Sequence, residues 1–132
     1  MMRWLAAYVA ALVAICVLDF IWLGFVARDF YRGQIGALLL ERPRWVAAGL
    51  FYVMYAFAAI WFAVAPAQDG SWQRALIQGA LLGLVCYATY DLSNLATLKS
   101  WTIAMTAADI AWGMVVTATA ALAGYAALRA MT

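Results

Sequence analysis

The sequence predicts an all-α integral membrane protein, a bundle of four transmembrane helices that run antiparallel, up and down. Of its 132 residues, 70% are hydrophobic and 11% are charged, whereas a soluble domain carries about 25% charged residues. So small a soluble fold has too much surface to hide this apolar material. Four apolar segments each reach the roughly 20 residues that span a bilayer, and short polar stretches separate them.

The four predicted helices cover about residues 4–27, 45–65, 74–98 and 101–128, and we expect residues 1–132 to form a single transmembrane domain. The first apolar run exceeds the roughly 7–15 residues of a signal-peptide core, so we interpret it as a retained helix. The third and fourth helices almost adjoin, which predicts a tight antiparallel hairpin. Tryptophans stand near the helix starts, as an interfacial aromatic belt would place them; they are Trp4, Trp45, Trp72 and Trp101.

The connection between the first two helices, residues 28–44, mixes arginines with apolar side chains. We predict an interfacial loop here, with a short amphipathic helix lying on the membrane. We expect it to act as a plain anchored connector, as a lid, or as a contact for lipid headgroups. Basic residues are more frequent on this side of the predicted bundle, so the positive-inside rule places both hairpin loops in the cytoplasm and both termini outside. The five on this side are Arg28, Arg32, Arg42, Arg44 and Lys99.

Three aspartates, Asp19, Asp91 and Asp109, lie inside the predicted helices. An ionisable group within a membrane is costly unless it is paired or hydrated, so it is a functional hypothesis by default. At about 1.5 Å rise per residue, each aspartate lies roughly 12–14 Å from the same membrane face. Half of the hydrocarbon core is about 15 Å thick. We therefore predict that the three carboxylates meet at one level near the middle of the bilayer.

Helical spacing predicts which side chains accompany these carboxylates. Residues three or four apart share a helix face, and small residues such as Gly79 and Gly83 allow helices to approach closely. The segment around Asp19 also resembles the segment around Asp109, although six residues are too few to establish a repeat. Tryptophans in such positions more often pack than contact a ligand. The candidate ligand- or ion-binding residues are Asp19, Asp91, Asp109, Asn94, Tyr87, Tyr52, Tyr55, Trp22 and Trp112.

The chain contains no histidine, so we expect no haem, and most zinc and di-iron sites are excluded. The two cysteines, Cys16 and Cys86, lie in apolar runs and are expected to pack as small hydrophobic residues. An all-oxygen site formed by the three aspartates suits a hard cation such as Mg²⁺, Ca²⁺ or Na⁺. Alternatively, some of the carboxyl groups are protonated.

Four short motifs resemble those of a bacterial membrane-protein family catalogued as domain of unknown function 2177. They are Leu18-Asp19 with Trp22, Phe51-Tyr52 with Tyr55, the segment from Tyr87 to Asn94, and Asp109-Ile-Ala-Trp112-Gly113. The resemblance covers nearly the whole chain. It implies a four-helix, multi-pass protein of the bacterial inner (cytoplasmic) membrane. It brings no activity, substrate or catalytic residue.

Three functions remain open from the sequence. The leading hypothesis is a site that binds or modifies a lipid-like hydrophobic molecule, with a polar floor formed by Asp19, Asp91, Asn94 and Asp109. The second is a small proton- or cation-coupled transporter or channel, working as a homo-oligomer. The third is a structural or assembly subunit of a membrane complex, in which polar side chains hold helices together. Membrane lipid is a partner in each case, and the net charge of +2 gives no indication of nucleic-acid binding.

Overall fold

The computed structural model describes all residues, 1–132, and contains five α-helices. Four segments are long and apolar enough to cross a membrane, namely Met2–Val26, Trp45–Ala67, Trp72–Thr97 and Ile103–Ala130. The predicted four-helix membrane bundle is therefore confirmed. The helices are α1 (Met2–Ile21), α2 (Arg28–Ile35), α3 (Trp45–Ala59), α4 (Trp72–Thr97) and α5 (Ile103–Ala130).

Two of the spans do not remain α-helical to their ends. A π-helical turn, Trp22–Val26, prolongs α1, and a second π-helical turn, Ile60–Val64, prolongs α3. In the first of these turns the Ala27 amide donates to the Trp22 carbonyl at 2.7 Å, five residues back. Single π turns of this kind are frequent at functional sites.

The helices bury mostly small residues and leave most of the large apolar side chains exposed on the outside of the bundle. On α1, Ala7, Ala11 and Ile15 are buried at four-residue intervals. Large side chains are exposed on the other faces of the same helix, including Val9 and Val13. This arrangement is the one that a bilayer favours, because lipid tails accept large apolar side chains while small residues let helix backbones approach. Of the 104 backbone hydrogen bonds, 91 lie within helices, as a medium without water requires.

The last helix, α5, lies at the centre of the bundle and packs along both α1 and α4. Glycines allow the close contact with α4. A Cβ atom on Gly79 would lie 2.9 Å from the Ala118 Cα atom, and one on Gly83 would lie 2.2 Å from the Gly113 carbonyl oxygen. Neither neighbour is a flexible side chain, so the two backbones fix the distance between α4 and α5.

Helix α3 diverges from α4. The π turn that follows α3, Ile60–Val64, packs against α4, but α3 itself makes little contact with that helix. The two helices therefore form a V that is closed at one end and open at the end where α3 begins and α4 finishes. This opening creates the cavity described below.

The short helix α2 covers the same end of the bundle. Its Tyr31 and Ile35, four residues apart, are buried against Trp101 and Met105 at the start of α5, while Arg28 and Arg32 are exposed. Trp101 is 7% exposed and donates to the Thr106 hydroxyl at 3.1 Å. Trp101 therefore packs beneath α2 and, unlike the exposed Trp45 and Trp72, does not face outwards from the bundle.

Candidate functional site

A cavity of about 540 Å³ lies between α3 and α4, with α1 and α5 behind it. Several of its lining side chains are also exposed on the outer surface of the bundle, including Leu23, Met54 and Tyr90. Since the outer surface of the spans faces lipid, the cavity opens sideways into the bilayer. The ten lining residues are Asp19, Leu23, Phe51, Tyr52, Met54, Tyr55, Cys86, Tyr87, Tyr90 and Asp109.

Asp19 is held by two neutral hydrogen-bond donors from other helices. The Tyr52 hydroxyl of α3 donates to Asp19 Oδ2 at 2.8 Å, and Trp112 Nε1 of α5 donates to Asp19 Oδ1 at 2.8 Å. Asp19 is 6% exposed, so these donors replace the water that would otherwise solvate it. The carboxylate thus ties α1 to both α3 and α5.

Asp109 is linked to Tyr31 of α2 and, through it, to Trp22 by two hydrogen bonds in series. Trp22 Nε1 donates to the Tyr31 hydroxyl at 3.1 Å, and the Tyr31 hydroxyl donates to Asp109 Oδ1 at 2.7 Å. Burial raises the pKa of the Tyr31 phenol above its ordinary value, and the hydrogen bond to Asp109 raises it further. The phenol therefore stays protonated and keeps its donor role, which anchors α2 to the centre of the bundle.

The two Asp-x-x-Trp segments are arranged in a reciprocal way. Trp22 and Trp112 stack with their ring centroids 4.4 Å apart and an angle of 4° between the rings. Trp112 follows Asp109 on α5 but bonds to Asp19 on α1. Trp22 follows Asp19 in the π turn that prolongs α1, but its indole is linked through the Tyr31 hydroxyl to Asp109. In each of the two similar segments, the tryptophan is therefore hydrogen-bonded, directly or through Tyr31, to the aspartate of the other segment.

Asp91 differs from the other two aspartates. It is 0% exposed, and neither of its carboxyl oxygens has a hydrogen-bond partner. Its carboxyl group lies beside that of Asp109, within hydrogen-bonding reach if one of the two is protonated. A buried polar group without a partner is costly and calls for an explanation. Asp91 does not line the cavity, but it lies beside Asp109, which does.

The remaining candidate residues divide between the cavity and the packing around it. The hydroxyls of Tyr55 and Thr117 share a hydrogen bond of 2.6 Å, and Tyr55 lines the cavity. The Tyr87 ring lies against Gly113, where a Cβ atom would come within 2.1 Å of the ring. Asn94 is half-buried and outside the cavity lining. Of the four residues predicted to form the polar floor, only Asp19 and Asp109 line the cavity.

Sequence reasoning missed several residues of this site. Tyr31 was assigned to the interfacial loop, and the only signal for its role is its four-residue spacing from Ile35. Hydropathy gave no signal for the side chains around the cavity mouth, because an apolar residue inside a span has the same hydropathy whether it faces lipid or a cavity. They are Leu23, Phe51, Met54 and Tyr90, together with Cys86 deeper in the wall. Only the family motifs contained two of them, Phe51 and Tyr90.

The three aspartates do not form a single cation-binding group. No cluster of three or more Asp, Glu, Cys or His side chains that could hold a metal ion occurs in residues 1–132. Asp19 is bonded to Tyr52 and Trp112, whereas Asp91 lies with Asp109. The positions of the three aspartates therefore give no support to a hard-cation site shared by all three.

The variant Tyr31→Phe tests the anchoring of α2. Removing the hydroxyl leaves Asp109 without its donor and Trp22 without its acceptor, which should cost about 1–3 kcal/mol of unfolding free energy. Amide hydrogen exchange across residues 28–35 should become faster. Tyr125→Phe is the matched control, because it removes an exposed bond to the Gly70 carbonyl and should leave exchange in α2 unchanged. Unaltered exchange in α2 of Tyr31→Phe would contradict the anchor.

Comparison with known proteins gives one match. A family model described as a predicted membrane protein, DUF2177, matches residues 4–126. No curated protein and no solved structure matches the chain.

Proposed function

The chain belongs to the DUF2177 family of predicted membrane proteins, and we propose that it binds a lipid-like molecule that enters the α3–α4 cavity sideways from the bilayer. One observation carries the proposal. A cavity of about 540 Å³ opens towards lipid and has two buried carboxylates, Asp19 and Asp109, in its otherwise apolar and aromatic wall. Ligand sites are typically concave, mostly apolar and equipped with a few fixed polar groups.

The size of the cavity supports an amphipathic ligand. Cavities of roughly 300–1,000 Å³ hold molecules of drug or lipid-headgroup size. The apolar mouth, with Met54 62% exposed and Leu23 47% exposed, suits an alkyl chain that continues into the bilayer. The polar part of the ligand would then reach Asp19 and Asp109.

The variant Met54→Trp tests this proposal. An indole at the mouth should fill the cavity entrance without touching the hydrogen bonds of Asp19. We expect at least about tenfold less lipid-like ligand to remain bound after delipidation, equivalent to ~1.4 kcal/mol, measured by native mass spectrometry of the purified protein.

Met114→Trp is the matched control. Met114 lines a shallower apolar groove between α4 and α5, away from the aspartates. The same substitution there should leave the retained ligand unchanged. Equal retention of ligand by the wild type and both variants would overturn the proposal.

A proton-coupled transporter is the second candidate, and Asp91 favours it. A fully buried carboxyl group with no hydrogen-bond partner, lying beside one that lines a cavity, is suited to holding and passing a proton. Proton uptake by proteoliposomes, compared between the wild type and Asp91→Asn, separates the candidates. A structural or assembly subunit would also have hydrogen-bonded aspartates, but this hypothesis gives the lateral cavity no role.

A further inference from the structure

The cavity wall carries carboxyl groups and aromatic rings but no basic side chain. Two of its ten residues are aspartates, five are aromatic, and none is lysine or arginine. We infer that the ligand carries an ammonium group on an apolar body and has no phosphate or other anionic group. This inference rests on the proposed function and names the chemical class of the ligand for that site.

The hydrogen bonds of the two carboxylates support a cationic ligand. Asp19 accepts from Tyr52 and Trp112, and Asp109 accepts from Tyr31. All three donors are neutral, so they solvate a negative charge but do not balance it. A carboxylate offers about four acceptor positions, which leaves some free for N–H groups of a ligand. An anionic headgroup would instead add like charge in a medium that screens charges poorly.

The aromatic residues of the wall support the same conclusion. Phe51 lies 5.1 Å from Tyr52 and 5.3 Å from Tyr55 between ring centroids, and Tyr55 lies 6.1 Å from Tyr87. The hydroxyls of Tyr52 and Tyr55 are engaged with Asp19 and Thr117. Phe51, Tyr52 and Tyr55 therefore offer mainly their rings to a ligand, and ring faces attract ammonium groups, more strongly where water is excluded. Clustered aromatic side chains are a typical setting for the recognition of quaternary ammonium groups.

Four matched probes with the same alkyl chain test the inference. They are a primary amine, a trimethylammonium, an alcohol and a sulfate, each assayed for equilibrium binding to the protein in lipid nanodiscs. We expect both cations to bind at least about tenfold more tightly than the alcohol, and the sulfate to bind most weakly. Tighter binding of the amine than of the trimethylammonium would show that N–H donors to the carboxylates contribute beyond the aromatic rings.

Three variants test whether the preference for cationic probes arises at this cavity. Asp19→Asn should remove most of the preference for cations while keeping binding of the alcohol. Phe51→Leu removes a ring without touching any side-chain hydrogen bond, so it should weaken the cations selectively even if Asp19→Asn does not fold. Met114→Trp should change nothing.

The outcomes separate this inference from the proposal beneath it. Equal binding of all four probes, with loss of all four in Met54→Trp, would overturn the ammonium inference and leave the lipid-binding proposal standing. No difference between Met54→Trp and the wild type for any probe would overturn both. A cation preference that persists in Asp19→Asn and in Phe51→Leu would also overturn the inference.

Discussion

Gly83→Ala is expected to lower the free energy of unfolding by about 1–3 kcal/mol, the usual range for overpacking a tight interior. The added Cβ atom would lie 2.2 Å from the Gly113 carbonyl oxygen and 2.8 Å from the Gly113 carbonyl carbon. These are backbone atoms of α5, so no rotamer change relieves the collision. The two helices must separate, and Tyr87, which lies against Gly113, must move with them.

Gly49→Ala is the control for this prediction. Gly49 lies in α3 and has nothing within 4 Å of the position that its Cβ atom would occupy. The added methyl group should therefore leave stability unchanged, or raise it slightly through the better helix propensity of alanine. Equilibrium unfolding in mixed micelles measures both variants. A Gly83→Ala protein as stable as Gly49→Ala would show that α4 and α5 are not held at the described distance.

Asp91→Asn is expected to raise the free energy of unfolding by about 1–3 kcal/mol, the cost of leaving a buried polar group unsatisfied. Neither oxygen of Asp91 has a partner, and its neighbour is the carboxyl group of Asp109. An asparagine of the same shape would place an amide donor beside that acceptor. The side chain would then gain a hydrogen bond that the carboxylate lacks.

Asp19→Asn, in contrast, is expected to lower the free energy of unfolding. Both oxygens of Asp19 accept hydrogen bonds, so the amide nitrogen of asparagine would face a donor from Tyr52 or Trp112. Unfolding measurements on both variants under the same conditions provide the comparison. If Asp91→Asn proved less stable than the wild type, Asp91 would already hold a hydrogen bond, as it would if it shared a proton with the neighbouring carboxyl group of Asp109. If the variant proved more stable, the wild-type aspartate would be kept at a cost to stability, which is typical of functional residues.

The sequence predicted the fold and the buried aspartates well, because both follow from hydropathy. Apolar segments of sufficient length define the spans, and an acid within a span stands out by type alone. Helical spacing also brought Asp19 and Trp22 to one region, as the structure shows. The same reasoning could not separate Asp91 from Asp109, since depth along a helix does not specify which side chains have partners.

The cavity and the role of α2 could not be predicted in this way. The cavity exists because α3 diverges from α4 while Ile60–Val64 stays in contact with it, and hydropathy does not encode the angle between helices. Tyr31 reaches Asp109 because the chain turns back at Ala27, where the backbone leaves the helical region with φ −109° and ψ 6°. The position of Trp101 near a helix start predicted an interfacial side chain. Nothing in its local sequence shows that α2 covers it.

The π turn Trp22–Val26 has a consequence for any alignment or redesign of this chain. Such a turn corresponds to one residue inserted into a regular helix, and each residue of an α-helix rotates the chain by about 100°. Deleting one residue from this turn would restore a regular helix and rotate everything that follows relative to Asp19. The Tyr31 hydroxyl would then face away from Asp109. A chimera that replaces α1 must therefore preserve the extra residue as well as the aspartate, and a sequence lacking it should be aligned with a one-residue gap between positions 22 and 26.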